Sequence, residues 1–329
     1  MRTAAGITAA LLSAWVHGLD AQAPALNAPP ALPLDSAAYG PSGLRFAVLL
    51  QVRADFPETE GRNSTFFLRK AELGIRGHVT GHTDFSVELD PVNPDDPFRR
   101  TYLRLSHFPR LHVKVGMEKA PLGLEELLST ATVPFVDRSQ VNDRFAAAEE
   151  VGVHLESRWD RWLFQMSITN GGRRLLRDDN DHKDLTLRAV WAPSAWASVG
   201  VAALSGRAGE EARKRKRYNV EVKLGSTDSG AHGELYEATD GDVQSSAFHV
   251  SLFRAFSVSQ EWLDSVQPAI RYERVDREDE LEQEELSLLT FGLGFLVDGH
   301  RSKLVVNYVL DLRSAIEENE LRVQYQVEF

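Results

Sequence analysis

The chain has 329 residues, of which 43% are hydrophobic and 26% are charged, so it is long enough to fold and to bury a large surface. Its formal net charge of −11 argues against a nucleic-acid partner, because nucleic-acid-binding domains normally carry an excess of Lys and Arg. It contains no Cys, which excludes disulfides, thiolate metal sites and cysteine catalysis.

The N-terminal segment, residues 1–21, has the layout of a secretory signal peptide, with a cationic start, an apolar run and small residues before a cleavage point after Ala21. The apolar run is shorter than the roughly 20 residues that span a bilayer, so an anchoring helix is the weaker alternative. Residues 22–42 are rich in Ala and Pro and show no periodicity. We interpret them as a leader to a domain at residues 43–329.

From residue 43 onward, apolar and polar residues alternate in stretches separated by Gly, Pro, Asp and Asn. In "FSVELD", Phe85, Val87 and Leu89 share one face and the polar residues share the other. A helix would spread these apolar residues around its circumference, so the alternation predicts strands. We place about sixteen strands near residues 43–55, 65–79, 83–90, 98–107, 110–117, 149–158, 161–170, 183–192, 195–205, 216–226, 230–238, 244–256, 265–275, 285–298, 302–313 and 318–329.

Two all-β architectures fit this alternation, a soluble β-sandwich and a membrane barrel. Segments of about ten residues suit tilted transmembrane strands better than the shorter strands of a sandwich. Full charges stay on one face of each segment, and a charge on the lipid face costs roughly 2–4 kcal/mol near the bilayer midplane. Short connections also alternate with long, charged ones such as "GRAGEEARKRKR", apart from an irregular stretch at Ser257–Asp264. The sequence therefore predicts a transmembrane antiparallel up-and-down β-barrel of about sixteen strands.

Three motifs follow one another along the first half of the predicted domain, "FFLRKAELGIRGHVTGHTDFSVELD", "TYLRL" and "FVDRS". The first resembles the early hairpin, and the other two resemble later segments, of the phosphate-selective porin O and P family of bacterial outer-membrane porins. The most specific motif is "VKVGMEKAPLGLEEL", whose matching positions are Val113, Val115, Gly116, Lys119, Pro121, Gly123, Leu124 and Glu125. Met117 and Glu118 depart from the family, which usually has Gln and an aromatic residue there, and the chain is short for the family.

The resemblance implies a sixteen-stranded homotrimeric barrel with a loop folded inward as a constriction. The best-known members pass phosphate or polyphosphate with the help of Arg and Lys along the channel. Outer-membrane lipid, lipopolysaccharide and small ions such as phosphate are the expected partners, with no cofactor and no metal. The alternation that ends at Phe329 also resembles the signal read by the barrel assembly machinery.

Strand parity assigns charged residues to the inner face of this barrel, and the aperiodic segment 118–148 supplies the constriction loop. The candidate pore-lining and constriction residues are Lys70, Arg76, Arg100, Tyr102, Arg104, Lys114, Lys119, Glu125, Asp137 and Arg138. Acids predicted to share the inner face are Glu72, Glu88, Asp90, Glu150, Glu156, Glu221, Glu273, Asp311 and Glu328.

These charges allow two interpretations of the channel. A cationic wall opposite an acidic loop would create a transverse field, and rings of Arg or Lys would favour anions such as phosphate. Charges that pair with each other would instead leave a weakly selective channel for passive diffusion of small polar solutes, which we favour because the signs are nearly balanced. An adhesin, an enzyme or a purely structural barrel is the alternative function, but we find no catalytic set.

Two charged runs remain. "RKRKR", Arg213–Arg217, is interpreted as an exposed outer loop that contacts lipopolysaccharide phosphates, with an anion funnel as the alternative. "RDDNDHKD" at residues 177–184 lacks the Gly and terminal Glu of a known calcium loop, so an ordinary exposed loop is the preferred interpretation.

Overall fold

The computed structural model describes residues 43–59, 61–172, 180–209, 211–278, 283–313 and 319–329. The predicted signal peptide and leader, residues 1–21 and 22–42, lie outside the described residues. Among the described residues, no helix has the length and apolar character needed to cross a membrane.

The described chain is built almost entirely from strands that pair with their sequence neighbours. The strands are β1 (Leu44–Pro57), β2 (Thr65–Thr80), β3 (Thr83–Leu89), β4 (Thr101–Phe108), β5 (Leu111–Lys119), β6 (Glu149–Trp159), β7 (Trp162–Thr169), β8 (Asp184–Ser194), β9 (Ala197–Ala208), β10 (Arg213–Gly225), β11 (Ser229–Asp240), β12 (Val243–Arg254), β13 (Phe256–Gln260), β14 (Leu263–Glu278), β15 (Gln283–Asp298), β16 (Ser302–Asp311) and β17 (Glu320–Glu328). Strands β12 and β13 both pair with β14 and are separated by Ala255 alone, so together they form one strand of the wall.

The wall closes because the last strand pairs with the first. β17 runs antiparallel to β1 from Leu49 opposite Glu328 to Pro57 opposite Glu320. The Phe329 backbone N–H donates to the Val48 carbonyl at 3.0 Å, and the Val48 N–H donates to the Phe329 carbonyl at 2.7 Å. Closure satisfies the backbone groups of both edges, as a lipid environment requires. The predicted antiparallel barrel of sixteen wall strands is confirmed.

Alternation along each strand separates an apolar outer face from a polar inner face. On β10, Tyr218 and Val220 are exposed outward, whereas Asn219 and Glu221 are buried inward. The same alternation holds on β17, where Gln324 and Gln326 are buried. Other large apolar side chains exposed on the outer wall are Leu73, Ile75, Leu103, Val115, Val153, Ile168, Leu187, Val201, Leu235, Val250, Ile270 and Phe291.

Three details of the connections differ from the sequence prediction. "RKRKR" is not a loop: Arg213 begins β10, and Arg215 and Arg217 are buried on its inner face. A run of charged residues can form part of a strand when alternate side chains face different surroundings. Charge alone therefore does not show where a loop ends and a strand begins. The connection between β11 and β12 is a tight turn at 241–242, and the irregular stretch at Ser257–Asp264 contains most of β13 and its turn.

Candidate functional site

The connection between β5 and β6, residues 120–148, folds back into the barrel, and we call it the inner loop. It contains helix α1 (Leu124–Leu127), a 3-10 turn at Thr130–Thr132 and helix α2 (Gln140–Phe145). Its backbone and side chains bond to inward-facing residues of β1, β11, β14, β16 and β17. The inner loop therefore lies against the inner wall.

Glu234 of β11 holds the start of α1. Its carboxylate accepts hydrogen bonds from the backbone N–H groups of Leu124, at 2.6 Å, and Glu125, at 2.9 Å. The Tyr236 hydroxyl donates to the same carboxylate at 3.0 Å, and His249 Nε2 lies 3.2 Å from it. All of these groups are buried, and charge-assisted hydrogen bonds in such surroundings are strong.

The Glu125 side chain is fully buried between the inner loop and the barrel wall. Its Oε2 accepts a hydrogen bond from the Ser139 N–H at 2.8 Å, which ties α1 to the start of α2. Arg271 lies 3.6 Å from the Glu125 carboxylate and His232 lies 3.7 Å from it. Burial alone would raise the pKa of Glu125, but His232, His249 and Arg271 hold it well below its usual range.

Asp137 makes a second anchor on the opposite part of the wall. Its carboxylate lies 2.7 Å from the Arg53 guanidinium and 3.0 Å from that of Arg322, with Arg69 at 3.6 Å. The Arg271 guanidinium donates to the Asp137 carbonyl oxygen at 2.9 Å. Burial would raise the pKa of Asp137, but the surrounding arginines lower it below its usual value.

Wall side chains also satisfy the backbone of the loop between these anchors. Lys303 donates to the Val133 carbonyl at 2.7 Å, and Asn307 accepts from the Val136 N–H at 2.6 Å. An apolar cluster lies between the loop and the wall, formed by Ala120, Leu122, Val141, Phe145, Ala147, Ala202, Leu204, Tyr236, Ala238, Ala247 and Val275. Burial of a large apolar side chain contributes about 1.5–3 kcal/mol, so this cluster adds to the docking of the loop.

Gly123 is the residue that allows α1 to approach the wall. Its φ is +100°, and an added Cβ would lie 2.5 Å from the Tyr236 hydroxyl and 2.9 Å from the Ala146 Cβ. We expect Gly123→Ala to weaken loop docking by about 1–3 kcal/mol, because strain and overlap act together. Limited proteolysis should then cut the inner loop faster. An unchanged cleavage rate would contradict this prediction, and Gly81→Ala, in a turn with open space, is the control.

A cavity of about 340 Å³ remains between the inner loop and the wall formed by β1 to β5. The six cations that line it are Arg69, Lys70, Arg99, Arg100, Lys119 and Arg138. The seven acids that line it are Glu72, Glu88, Asp90, Glu126, Asp143, Glu149 and Glu328. Both signs occur on the loop and on the wall, so the separation of a cationic wall from an acidic loop is wrong for this lining.

The lining charges pair locally. Lys70 lies 2.6 Å from Glu72, and Arg100 lies 2.9 Å from Glu88. Similar pairs join Arg99 to Asp90 at 3.3 Å and Lys119 to Glu126 at 3.3 Å. The passage that this cavity forms is therefore lined by charges that nearly cancel, and it lies beside a firmly docked loop.

Comparison with known proteins decides the family. The model of the phosphate-selective porin O and P family matches residues 45–228. The chain belongs to this family. It is a porin of the bacterial outer membrane, a water-filled channel through which small polar solutes diffuse passively.

Solved structures of outer-membrane proteins share the fold of this porin. OmpF of Salmonella typhi, in complex with daunomycin, is 10% identical with a TM-score of 0.65, and the match covers 87% of this chain and 97% of OmpF. OmpT of Vibrio cholerae, described as a trimer form, is 11% identical with a TM-score of 0.61 and coverages of 87% and 99%. The anion-selective porin of Comamonas acidovorans is 10% identical with a TM-score of 0.58 and coverages of 87% and 99%. None of the curated proteins compared with the chain matches it.

Five of the residues predicted to line the channel of this porin lie together on the wall formed by β2 to β5. Arg104 is opposite Lys114 in the pairing of β4 with β5, and the Lys114 ammonium lies 4.7 Å from the Tyr102 ring centre. Arg76 and Arg100 approach from either side, since both pair with Glu88. We refer to the five residues Arg76, Arg100, Tyr102, Arg104 and Lys114 as the basic wall.

The other five predicted residues divide between the cavity and the anchors. Lys70, Lys119 and Arg138 line the cavity. Asp137 and Glu125 anchor the inner loop, and the carboxylate of Glu125 is buried away from water.

The strand alternation in the sequence missed two cations of the cavity, Arg69 and Arg99. Gln51 pairs with Lys70 whereas Val52 pairs with Leu68, so Arg69 is an extra residue in β2 and interrupts the alternation. Both Arg69 and Lys70 therefore line the cavity. The family motif around "FFLRKAEL" carries both cations, but nothing in the alternation marks the bulge.

Asp143 of α2 is expected to make the selectivity of this porin depend on pH. Burial, then the neighbouring Glu126, raises the pKa of Asp143 to about 6. The carboxylate is therefore negative above pH 6 and neutral below it, so the preference for anions should increase as the pH falls from 8 to 5. Reversal potentials measured across a salt gradient should show a midpoint near pH 6.

The matched variant for this test is Asp143→Asn, which removes the titrating group and keeps the shape of the side chain. We expect it to show the low-pH selectivity at every pH. A midpoint near pH 6 that persists in the variant would assign the effect to another group.

Among the residues that the structure describes, no group of three or more His, Asp or Glu is arranged to hold a metal ion.

Proposed function

We propose that this porin is a weakly charge-selective channel with a small preference for anions, phosphate included. The observation that supports it is the unequal exposure of the ion pairs in the basic wall. The cation is more exposed than its carboxylate in each pair: Arg76 at 21% with Glu88 at 9%, Arg100 at 23% with Glu88 at 9%, Arg104 at 36% with Asp84 at 17%, and Lys114 at 25% with Glu118 at 12%.

A solute in the lumen therefore meets the positive ends of nearly neutral pairs. Pairing cancels most of the long-range field, and physiological salt screens the remainder over about 8 Å. Only an ion that passes close to the wall senses the bias. This arrangement supports a modest anion preference rather than the strong selectivity that an unpaired ring of Arg or Lys would produce.

Planar-bilayer recordings of the purified porin test this proposal. In a tenfold gradient of potassium chloride, the reversal potential should correspond to an anion-to-cation permeability ratio of roughly two to four, as expected for a screened bias of about one RT. Millimolar phosphate should carry current without blocking chloride. A clear cation preference would contradict the proposal, and block by micromolar phosphate would favour a phosphate-selective channel instead.

We also propose that this porin is not an enzyme. His232 and His249 touch carboxylates in the lumen and are buried beneath the inner loop beside Glu125 and Glu234. This position supports an anchoring role, since substrate has no access to the two rings. Turnover of an ester or peptide probe that is lost in the His249→Gln variant would contradict the proposal.

Assembly into a homotrimer is a further proposal, supported by the trimer form of Vibrio cholerae OmpT and by the apolar outer wall. A measured mass of one copy in mild detergent would contradict it. The proposed partners of the outer wall are membrane lipid and, during insertion, the barrel assembly machinery.

A further inference from the structure

The outward face of β10 changes from apolar to basic along its length. Leu224, Val222 and Val220 are exposed on the lower part, and Tyr218 follows them. Lys216 and Lys214 continue the same face toward the connection between β9 and β10, and both are exposed. The residues between them, Arg215 and Arg217, point inward and are buried, so two different basic surfaces arise from "RKRKR".

A third cation joins the outer surface from the neighbouring strand. The register of β9 with β10 places Arg207 directly opposite Lys214, and Ser205 opposite Lys216. Like charges directly opposite each other in an antiparallel pair destabilise the sheet. We call Arg207, Lys214 and Lys216 the outer basic patch.

Acids of the described chain do not neutralise this patch. Glu211 pairs with Arg213 at 2.7 Å, and no ion pair joins a described carboxylate to any of the three patch residues. Glu237, exposed on the same face, is opposite Tyr218 rather than opposite a lysine. Elsewhere on the outer wall, by contrast, Arg274 is paired with Asp276 at 2.9 Å. The patch therefore concentrates positive charge that an external anion can compensate.

The height of the patch on the wall indicates which anion is available. Tyrosines of outer-membrane barrels concentrate at the membrane interface, and Tyr218 marks that level on β10. With a rise of about 3.3 Å per residue, Lys216 and Lys214 lie roughly 7 and 13 Å further along the strand. The patch is at the end of the barrel that carries the long 120–148 connection, which is the outer side of such barrels.

We propose that the outer basic patch binds the phosphate groups of lipopolysaccharide in the outer leaflet. Arg207 offers a planar fork that matches a phosphate, whereas Lys214 and Lys216 act as point charges on the same anion or an adjacent one. The acyl chains would then lie along the apolar part of β10 below Tyr218. Bound phosphate would also relieve the repulsion between Arg207 and Lys214.

Binding of fluorescent lipopolysaccharide to the purified porin in detergent tests the proposal. The Lys214→Gln, Lys216→Gln double variant should raise the apparent dissociation constant on the order of tenfold. The matched control is Arg274→Gln with Arg301→Gln, which removes two exposed cations that already pair with Asp276 and Asp298. The control should bind like the unaltered porin, and equal affinity of all three proteins would overturn the proposal.

Two further measurements on the unaltered porin identify the ligand even if the double variant fails to fold. Lipopolysaccharide treated with phosphatase should bind about as weakly as the double variant, and undiminished binding would overturn the role of phosphate. Millimolar inorganic phosphate should not displace intact lipopolysaccharide. Displacement would show that the patch takes free phosphate, which would overturn the lipid as its source. None of these results depends on channel conductance, so they are separate from the proposed selectivity.

Discussion

Replacement of Glu234 by Ala is expected to release the α1 half of the inner loop and to give a larger, noisier single-channel conductance. The carboxylate accepts from two backbone N–H groups of α1 and from the Tyr236 hydroxyl. Breaking a buried, charged network by removing one partner costs about 3–5 kcal/mol. The barrel itself should persist, because its wall closes independently through β1 and β17.

The control for this prediction is Glu221→Ala on the adjacent strand. Glu221 is opposite Glu234 in the register and is equally buried, but its carboxylate pairs with Arg188 of β8. We expect a similar loss of thermal stability with conductance noise like that of the unaltered porin. If Glu234→Ala gave unchanged conductance and noise in a folded barrel, the inner loop would not be held as we describe.

Replacement of Asp137 by Asn is expected to give the largest change in selectivity. Arg53, Arg322 and Arg69 would lose their shared carboxylate while the shape of the side chain is kept. A charge left unneutralised near the passage contributes on the order of 1 kcal/mol after screening, so anion preference should rise about three- to tenfold. Reversal potentials before and after the substitution measure this change.

The matching control removes the same charge outside the lumen. Asp298→Asn changes the last residue of β15, where Asp298 pairs with the exposed Arg301. This variant should leave the reversal potential unchanged. If the Asp137→Asn variant had the same reversal potential as the unaltered porin, the arginines around Asp137 would lie outside the path of the ions.

Much of the barrel was predictable because each strand meets two contrasting environments. Period-two alternation placed Lys70, Arg76 and Lys114 on the inner face, and a charge on the outer face would be costly in lipid. The alternation became ambiguous near "RKRKR", because both faces of β10 carry cations there. It failed at Arg69, because an extra residue in one strand changes the face without changing the composition.

The anchors of the inner loop were harder to predict than the loop itself. The missing strand period and the motif "APLGLEEL" identified the loop, but its partners are distant in sequence. Glu234 lies 110 residues from Leu124, and its polar setting in "AHGELYEA" gives only its face. Which inward residue meets which part of the loop depends on closure of the whole barrel. The local pattern of the sequence does not show which of these residues meet.

Single-channel recording of the purified porin in a planar lipid bilayer tests the central claim, that the barrel encloses a water-filled passage beside a docked loop. We predict discrete conductance steps that increase linearly with voltage and with potassium chloride concentration. Folding is checked in the same sample by the shift in gel mobility on heating. Folded, inserted barrel that gives no conductance steps would contradict the account and indicate that the inner loop plugs the lumen.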